Sequence, residues 1–321
     1  MVFPLLPVGL VDSTIFLLPL PKLIGRMDTK LITDKIVAAA LDVGFSACGV
    51  TDTQPLNEQG KHLQNWLRLG YNGTMKYMEN NLDKRLNPSL LAEASKSAIV
   101  VLLNYKPERT IATDKPQVSK YAYGTDYHFV VKNKLNRLLR RIQTEIADCR
   151  GVAYVDSAPV LEKALAVKAG LGWIGKNSLL INKQFGSMTF IGTLFVDIPL
   201  CYNTHIVPDG CGNCRRCMDA CPTQAIVAPR VIDASRCVSY LNKTHRGTVP
   251  EDLQTLVGNR IWGCDCCIDV CPYNKQTPVH NTQELMPRDE LFELDLAAIS
   301  KRQLKKLIMR LPPRNQSGTG S

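Results

Sequence analysis

The stretch CGNCRRCMDACPTQAI, residues 211–226, carries four cysteines separated by two, two and three residues, with a proline directly after the last one. The pattern C-x2-C-x2-C-x3-C-P is the run by which bacterial ferredoxins hold iron–sulfur clusters. In a two-cluster protein the first three cysteines bind one cluster and the fourth binds the other. The stretch therefore predicts a second, similar cysteine run elsewhere in the chain.

The second run is GCDCCIDVCPYN, residues 263–274, in which Cys264, Cys267 and Cys271 repeat the x2 and x3 spacing before a proline. It lacks the first cysteine of a full run, and Cys237 in the segment SRCVSYL can supply that ligand. Cys266 fits no ligand position. Two [4Fe–4S] clusters are predicted, with these ligands: Cys211, Cys214, Cys217 and Cys271 for one, and Cys221, Cys237, Cys264 and Cys267 for the other.

A disulfide framework and a zinc site are the alternatives for these cysteines. Nine of the twelve cysteines lie within residues 211–271, so they serve a local purpose, and clustered cysteines in a cytosolic chain more often bind metal. Structural zinc sites commonly use two separated C-x2-C pairs and need neither the x2-x2 run nor the two Cys-Pro pairs. The spacing favours clusters, hence electron transfer. A zinc-binding nucleic-acid protein and a non-catalytic electron-transfer subunit remain competing hypotheses.

The composition is that of a soluble globular protein, with 45% hydrophobic and 21% charged residues in 321. The net charge of +10 suits a polyanionic partner such as nucleic acid, although a basic but inert surface is also possible. The basic residues expected to contact such a partner are Arg215, Arg216, Lys243, Arg246, Lys301, Arg302, Lys305 and Lys306.

The first 26 residues are apolar and proline-rich, and no Lys or Arg precedes Lys22, which argues against a signal peptide. We expect residues 1–26 to be a disordered extension. No other segment is suited to cross a membrane, so a cytoplasmic protein is expected. The predicted domains are residues 27–204, residues 205–285 and a basic C-terminal helix with a tail, residues 286–321.

Hydrophobic periodicity predicts how the front part is built. Helices are expected at residues 29–43, 57–69, 127–147 and 161–170. Strands are expected within residues 44–52, 98–105, 151–160, 171–181 and 190–200. This alternation indicates an α/β or α+β fold. The amphipathic segment DLAAISKRQLKKLIMRLPP, residues 295–313, predicts the C-terminal helix.

Residues 30–275, roughly, resemble the epoxyqueuosine reductase family. The motifs that carry the resemblance are YAYGTDYH at residue 121, VDSAPVLEKALAVKAGLGWIGKNSLL at 155, GTLFVDIPL at 192, RCVSYL at 236, GNRIWGCDCCIDVCPYN at 258 and the opening cysteine run. Together these motifs are far more specific than a ferredoxin run alone.

The resemblance implies an α+β fold, in which a nitroreductase-like cobalamin-binding domain is followed by a ferredoxin-like module with two clusters. It implies an oxidoreductase that reduces epoxyqueuosine to queuosine at the wobble position of tRNA, the final step of queuosine biosynthesis. Base-off cobalamin performs the chemistry and the clusters supply its electrons. A low-potential electron donor is implied, and a monomer that does not bind membranes is expected. A cobalamin oxidoreductase that acts on a small molecule is the alternative.

The resemblance also assigns site residues. Asp156 is the expected proton donor, because opening an epoxide leaves an alkoxide and an apolar pocket can keep a carboxylic acid protonated. From the residues alone, a turn or a helix N-cap is the competing interpretation of Asp156. Tyr123, Asp126 and His128 are expected near the pocket. The expected cobalamin contacts are Lys163, Gly175, Lys176, Asn177, Ser178, Leu179 and Asp265.

Overall fold

The computed structural model describes residues 21–293 and 295–309, with side chains described from residue 29 onward. The first helix begins at Pro21, inside the predicted extension, and residues 1–20 and the C-terminal tail lie outside the described residues. Across the described segments, no helix is both long and apolar enough to cross a membrane.

The helices and strands follow the predicted order. The helices are α1 (Pro21–Asp42), α2 (Asn57–Arg68), α3 (Leu82–Leu86), α4 (Tyr127–Arg141), α5 (Glu162–Lys168), α6 (Arg216–Asp219), α7 (Val238–Lys243), α8 (Glu251–Val257), α9 (Cys266–Asp269), α10 (Pro272–Lys275), α11 (Glu290–Glu293) and α12 (Lys301–Ile308). The strands are β1 (Ala47–Asp52), β2 (Ser97–Asn104), β3 (Gln117–Val118), β4 (Gly151–Tyr154), β5 (Trp173–Ile174), β6 (Leu180–Ile181), β7 (Thr189–Val196), β8 (Ile226–Ala228), β9 (Val231–Ile232) and β10 (Arg260–Trp262).

The main sheet has four strands in the order β1-β2-β7-β4, and every neighbouring pair is antiparallel. The centre of the sheet is the pair β2 and β7, which runs in register from Ser97 opposite Val196 to Asn104 opposite Thr189. Antiparallel pairing with helices packed on the faces makes the fold α+β, which confirms that part of the prediction.

Strand β2 is buried along its whole length because both faces of the sheet are covered. Alternate side chains point to opposite faces of a strand. Accordingly, Ile99, Val101 and Leu103 pack in one core with α1 and α4. Ala98, Val100 and Leu102 pack in a second core with α5. The continuous apolar run in the sequence therefore reflects a central strand between two helical layers.

The cysteine-rich region is packed against the sheet domain. Ile268 and Leu285 belong to the same core as α1, α4 and the sheet. Helix α12 is capped by Ser300 and packs through Leu304 and Ile308, beside Trp262. It spans Lys301–Ile308 and is shorter than the predicted segment. The predicted domain limits remain predictions.

Candidate active site and cysteine groups

Asp156 lies just after β4, where the chain leaves the sheet. Its φ of +53° is unusual for a residue other than glycine, and such strained positions cluster at functional sites. Its backbone N–H donates to Glu162 Oε1 at 2.7 Å. Helix α5 begins at Glu162 with Leu161 as its N-cap, so Asp156 does not cap this helix and the N-cap interpretation is wrong.

The first turn of α4 places three side chains beside Asp156. Asp126 caps the helix by accepting from the His128 backbone N–H, and it also contacts His128 Nδ1 at 2.7 Å. His128 Nε2 lies 3.2 Å from Asp156 Oδ2, and the Tyr127 hydroxyl donates to the same oxygen. His128 therefore bridges two carboxylates that are 30 positions apart in the sequence.

These contacts set the charge state of the site. Hydrogen bonds to Asp126 and then Asp156 raise the pKa of His128 to about 9. The hydrogen bond with His128, supported by the one from Tyr127, lowers the pKa of Asp156 below its usual value. The Asp156 side chain is 60% exposed. The expectation of a protonated Asp156 in an apolar pocket is therefore wrong for this structure, in which a carboxylate faces an imidazolium.

Glu162 is the nearby carboxyl group whose pKa is raised. Burial raises the pKa of Glu162 to about 8, and the charge of Asp156 supports the rise, although the hydrogen bond from the Asp156 N–H opposes it. Glu162 was not predicted from the sequence, because no sequence pattern distinguishes a partly buried glutamate at the start of a helix from an exposed one. Of the residues expected near the pocket, Asp126 and His128 are there, whereas Tyr123 is buried in the core under α12.

Stacked aromatic rings hold Tyr127 in place. Its ring is parallel to Phe190 at 4.3 Å and stacks on His128 at 4.1 Å between centroids. Phe190 in turn contacts Tyr105 at 4.6 Å. Burial raises the pKa of Tyr105 strongly, and the charges of Asp265 and then Cys267 add to the rise. The row of rings lies in the core against which Cys267, a predicted cluster ligand, also packs.

Two of the predicted cobalamin contacts lie together near this site. Lys163 Nζ donates to the Ser178 backbone oxygen at 2.7 Å. The surrounding protein lowers the pKa of Lys163 by desolvation, although its side chain keeps access to solvent. Ser178 Oγ is buried and has no hydrogen-bond partner among the described residues. An unpartnered buried hydroxyl beside an accessible ammonium fits a bound polar ligand.

Ser178 belongs to the loop GKNSL, residues 175–179, and the remainder of this loop contacts the cysteine-rich segments. Lys176 Nζ donates to the Gly212 backbone oxygen at 2.6 Å, and the buried Asn177 amide lies 3.5 Å from the Cys267 backbone oxygen. Leu179 packs against the sheet core. A Cβ on Gly175 would lie 2.4 Å from Ile181 Cδ1, so packing within the loop explains this glycine without a ligand. The predicted cobalamin contacts of this loop are thus divided. Ser178 lies beside Lys163, near Asp156, whereas Lys176 and Asn177 contact the cysteine-rich segments.

Asp265 lies apart from the other predicted cobalamin contacts. Its carboxylate, 9% exposed, accepts from Ser119 Oγ and the Lys120 backbone N–H and pairs with Lys120 Nζ at 3.3 Å. Both carboxylate oxygens are used within the protein. This arrangement gives Asp265 a role in fixing the cysteine loop, and a contact with cobalamin remains a prediction without support from the geometry.

The first predicted ligand group converges on one cavity. The cavity has a volume of about 330 Å³ and is lined by all four cysteines together with Lys176, Asn177 and Tyr273. The cysteines are Cys211, Cys214, Cys217 and Cys271. Burial raises the pKa of Cys217, and the charges of the other three thiols add to it. This convergence is what a four-thiolate cluster site requires.

The second predicted group is partly assembled. Burial raises the pKa of Cys267, and the charges of Cys237 and Cys221 add to it, so these thiols are neighbours. Cys264 is hydrogen-bonded to Cys266, which raises the pKa of Cys264. Cys264 and Cys266 line a second cavity of about 220 Å³, separate from the cavity of the first group. Among the described residues, no three His, Cys, Asp or Glu side chains are close enough together to hold a single metal ion. A cluster needs its thiols to be farther apart than the ligands of a single ion are. The individual ligands remain predictions.

Family models match two parts of the chain. Residues 210–274 match the 4Fe-4S double cluster binding domain, which confirms the prediction of two [4Fe–4S] clusters. Residues 85–157 match the model described as epoxyqueuosine reductase QueG, DUF1730. The second match ends one residue after Asp156.

Named relatives cover most of the chain. The epoxyqueuosine reductase of Cellulophaga algicola is 47% identical over 262 residues, 82% of this chain and 85% of that protein. That of Cyclobacterium marinum is 41% identical over 280 residues, 87% of this chain and 90% of that protein.

Solved structures share the fold. An epoxyqueuosine reductase with an epoxyqueuosine-modified tRNA-Tyr stem loop has a TM-score of 0.76 and 31% identity, covering 86% of this chain and 75% of that one. The Bacillus subtilis enzyme, with its catalytic aspartate loop swung out of the active site, has a TM-score of 0.75 and 30% identity, covering 87% and 75%. A catabolic reductive dehalogenase matches in fold alone, with a TM-score of 0.51 and 15% identity, covering 88% of this chain and 36% of that one. Identity above 40% over most of the chain places it in the epoxyqueuosine reductase family.

Proposed function

We propose that this chain is an oxidoreductase that reduces epoxyqueuosine to queuosine at the wobble position of tRNA, the last step of queuosine biosynthesis. The observation that carries the proposal is the Asp126–His128–Asp156 arrangement, connected by stacked rings to a double-cluster segment. A relative with a modified tRNA stem loop supports tRNA as the partner. The nitroreductase-like description of the front domain is part of this proposal.

The overall reaction defines what the site must supply. Conversion of an epoxide to an alkene consumes two electrons and two protons, and the oxygen leaves as water. Cobalamin, bound base-off, would supply the reducing centre at the substrate carbon, with electrons from the clusters. Lys163 and Ser178 would hold the cofactor edge, because Ser178 Oγ is unpartnered among the described residues and Lys163 is accessible. The other predicted cobalamin contacts stay proposals on the resemblance alone.

The protons come from the residues around Asp156. Because Asp156 is ionised in this structure, it must be loaded before it can act as a general acid. His128 carries a proton up to about pH 9 and lies 3.2 Å from the Asp156 carboxylate, so it is the source. Asp126 keeps the imidazole oriented and Tyr127 fixes the accepting oxygen. Asp156 then donates to the epoxide oxygen. His128, which is 38% exposed, takes up a new proton from solvent and reloads Asp156 for the second transfer.

Movement of Asp156 is part of the proposed cycle. The residue is exposed and has a left-handed backbone conformation at the end of β4. Loops that close on a substrate exclude water and complete the catalytic arrangement. The relative whose catalytic aspartate loop is swung out supports such mobility. We infer that the exposed position precedes substrate binding and that closure brings Asp156 to the epoxide.

The substrate is embedded in a polyanion, which gives the basic surface a role. Lys243 lies at the site, over the Tyr121 ring at 4.9 Å, and its charge contributes to the lowered pKa of Asp156. The exposed lysines and arginine of α12 form a second basic patch. Both are proposed to contact tRNA phosphates, as is Arg246. The cytoplasmic location and the monomeric state remain predictions.

The test is mass spectrometry of tRNA nucleosides. Protein with reconstituted clusters is incubated anaerobically with cobalamin, a low-potential reductant and tRNA that contains epoxyqueuosine. We expect queuosine to appear and epoxyqueuosine to disappear in equal amounts, and omission of cobalamin to prevent it. Protein that holds both clusters and cobalamin but forms no queuosine would refute the proposal and favour an electron-transfer subunit.

A further inference from the structure

We propose that the basic surface around the Cys211 group is the docking site of an acidic protein that carries low-potential electrons one at a time. This surface comprises residues 209–219 and 272–276 with Lys176 and Arg230, and is called the cluster rim below. The proposal rests on the proposed function only in that electrons pass through the clusters.

The Cys211 group lies at the surface of the protein. Its cavity is lined by four cysteines, and the exposed residues Gly210, Arg216 and Gln276 form part of the same lining. Gly212 and Asn213, between the first two cysteines, are also exposed. A cluster held there has one side separated from solvent by little protein, and electron transfer between proteins requires such an accessible centre.

The other group lies on the side of Asp156. Cys267 packs against the sheet core, and Tyr105, Phe190 and Tyr127 connect its surroundings to Asp156. None of the residues that contact Asp156 lines the Cys211 cavity. Helix α6, which carries Cys217, packs against helix α9, which carries Cys267, so the two groups adjoin. Electrons that enter at the cluster rim therefore have a route inward through the second group.

The cluster rim is predominantly basic. Its cationic side chains are Lys176, Arg215, Arg216, Arg230 and Lys275, and its acidic ones are Asp209 and Asp219. Both acids are already paired, Asp209 with Arg230 and Asp219 with Arg215, the second pair at a long 3.5 Å between well-exposed side chains. The excess positive charge around an accessible cluster would attract an acidic carrier and accelerate its association.

An electron carrier suits this surface better than tRNA does, although both are acidic. The modified nucleotide must reach Asp156, and none of the residues that contact Asp156 belongs to the cluster rim. Electron-transfer encounters also need only a small interface. Arg215 and Arg216, which the sequence placed among the nucleic-acid contacts, are thus assigned to the carrier.

The test compares two charge reversals of equal size. Arg215→Glu/Arg216→Glu alters the cluster rim, and Lys301→Glu/Lys305→Glu alters exposed residues of α12 as the matched control. Stopped-flow absorbance follows reduction of the clusters without tRNA, first by flavodoxin hydroquinone and then by photoreduced 5-deazariboflavin, a small uncharged reductant. Iron content is measured on both variants.

The rim variant should be reduced by flavodoxin at least about tenfold more slowly at low salt and should lose most of the salt dependence. Its reduction by deazariboflavin and its iron content should match those of the parent, and the α12 control should behave as the parent with both reductants. Equal flavodoxin rates in the parent and the rim variant would overturn the proposal. Weakened binding of a tRNA stem loop in the rim variant, with the flavodoxin rate unchanged, would assign the surface to RNA. Because no turnover is measured, failure here is distinct from failure of the proposed function.

Discussion

His128→Gln is the change that tests the proton supply most directly. Glutamine can still hydrogen-bond to Asp126 and Asp156, but it cannot carry a proton between them. The charged His128 side chain contacts Asp126 at 2.7 Å and Asp156 at 3.2 Å. In the variant, an uncharged side chain would make these hydrogen bonds instead. We therefore expect a protein that folds and binds its cofactors but delivers protons poorly.

The stability cost follows from the raised pKa. A shift from 6.5 to about 9 corresponds to roughly 3 kcal/mol. Because the His128 side chain is 38% exposed, solvent screening reduces this to about 1–2 kcal/mol. The pKa is higher in the folded state, so this stabilisation is complete below pH 6.5 and disappears as the pH rises through about 9. Thermal denaturation of the parent and variant should differ at neutral pH and converge above pH 9, roughly.

The rate should respond more strongly than the stability. General acid catalysis typically contributes about 10²- to 10⁴-fold, so single-turnover queuosine formation should fall at least about a hundredfold at neutral pH. The parent rate should decline as the pH rises through about 9, where His128 loses its proton. In the variant the decline should move to lower pH, since Asp156 must then draw its proton from solvent. A variant that keeps the parent's rate and its decline near pH 9 would show that His128 is not the proton source.

Three other changes separate the remaining assignments. Asp156→Asn keeps the shape of the side chain but cannot donate a proton, so turnover should drop at least about a hundredfold while the clusters and cobalamin still bind, and near-parent turnover would exclude Asp156 as the acid. Cys266→Ser should leave about eight irons per chain after reconstitution, whereas Cys264→Ser should lower the iron count. The reverse result would make Cys266 the cluster ligand in place of Cys264. Reversing the four charges of α12 should weaken tRNA binding and flatten its salt dependence in fluorescence anisotropy, and an unchanged salt dependence would remove α12 from the RNA surface.

Features encoded by local spacing were predictable from the sequence. The cysteine runs indicated two clusters because the ligand positions are close together along the chain. The run at residues 98–105 indicated a buried strand because both of its faces are apolar, and β2 indeed lies at the centre of the sheet. Helix α4 begins at Tyr127, the predicted first residue, where Asp126 supplies the cap, and it ends at Arg141, before the predicted end at residue 147.

The charge state of the site was not predictable in the same way. His128 and Asp156 are 28 residues apart, and only the packing of α4 against the end of β4 brings them together. Sequence reasoning placed Asp156 in an apolar pocket and so gave its pKa the wrong direction. Gly175 is a predicted cobalamin contact, and in the structure the Ile181 side chain packs closely against it. In each case a neighbour distant in sequence or folded back in a hairpin decides the property.

Protons and electrons reach this site through different elements. Protons are held at the start of α4, where Asp126 caps the helix and keeps His128 charged. Electrons are proposed to come from the cysteine-rich segment, which matches a double-cluster domain. Tyr127 fixes the accepting oxygen, because its hydroxyl bonds to Asp156 while its ring lies flat on Phe190. Reduction of an epoxide to an alkene breaks both of its carbon–oxygen bonds, so the two protons and the two electrons must arrive at the same epoxide. The ionised, exposed Asp156 therefore suits a resting enzyme, since a proton released before the electrons arrive would be lost to solvent.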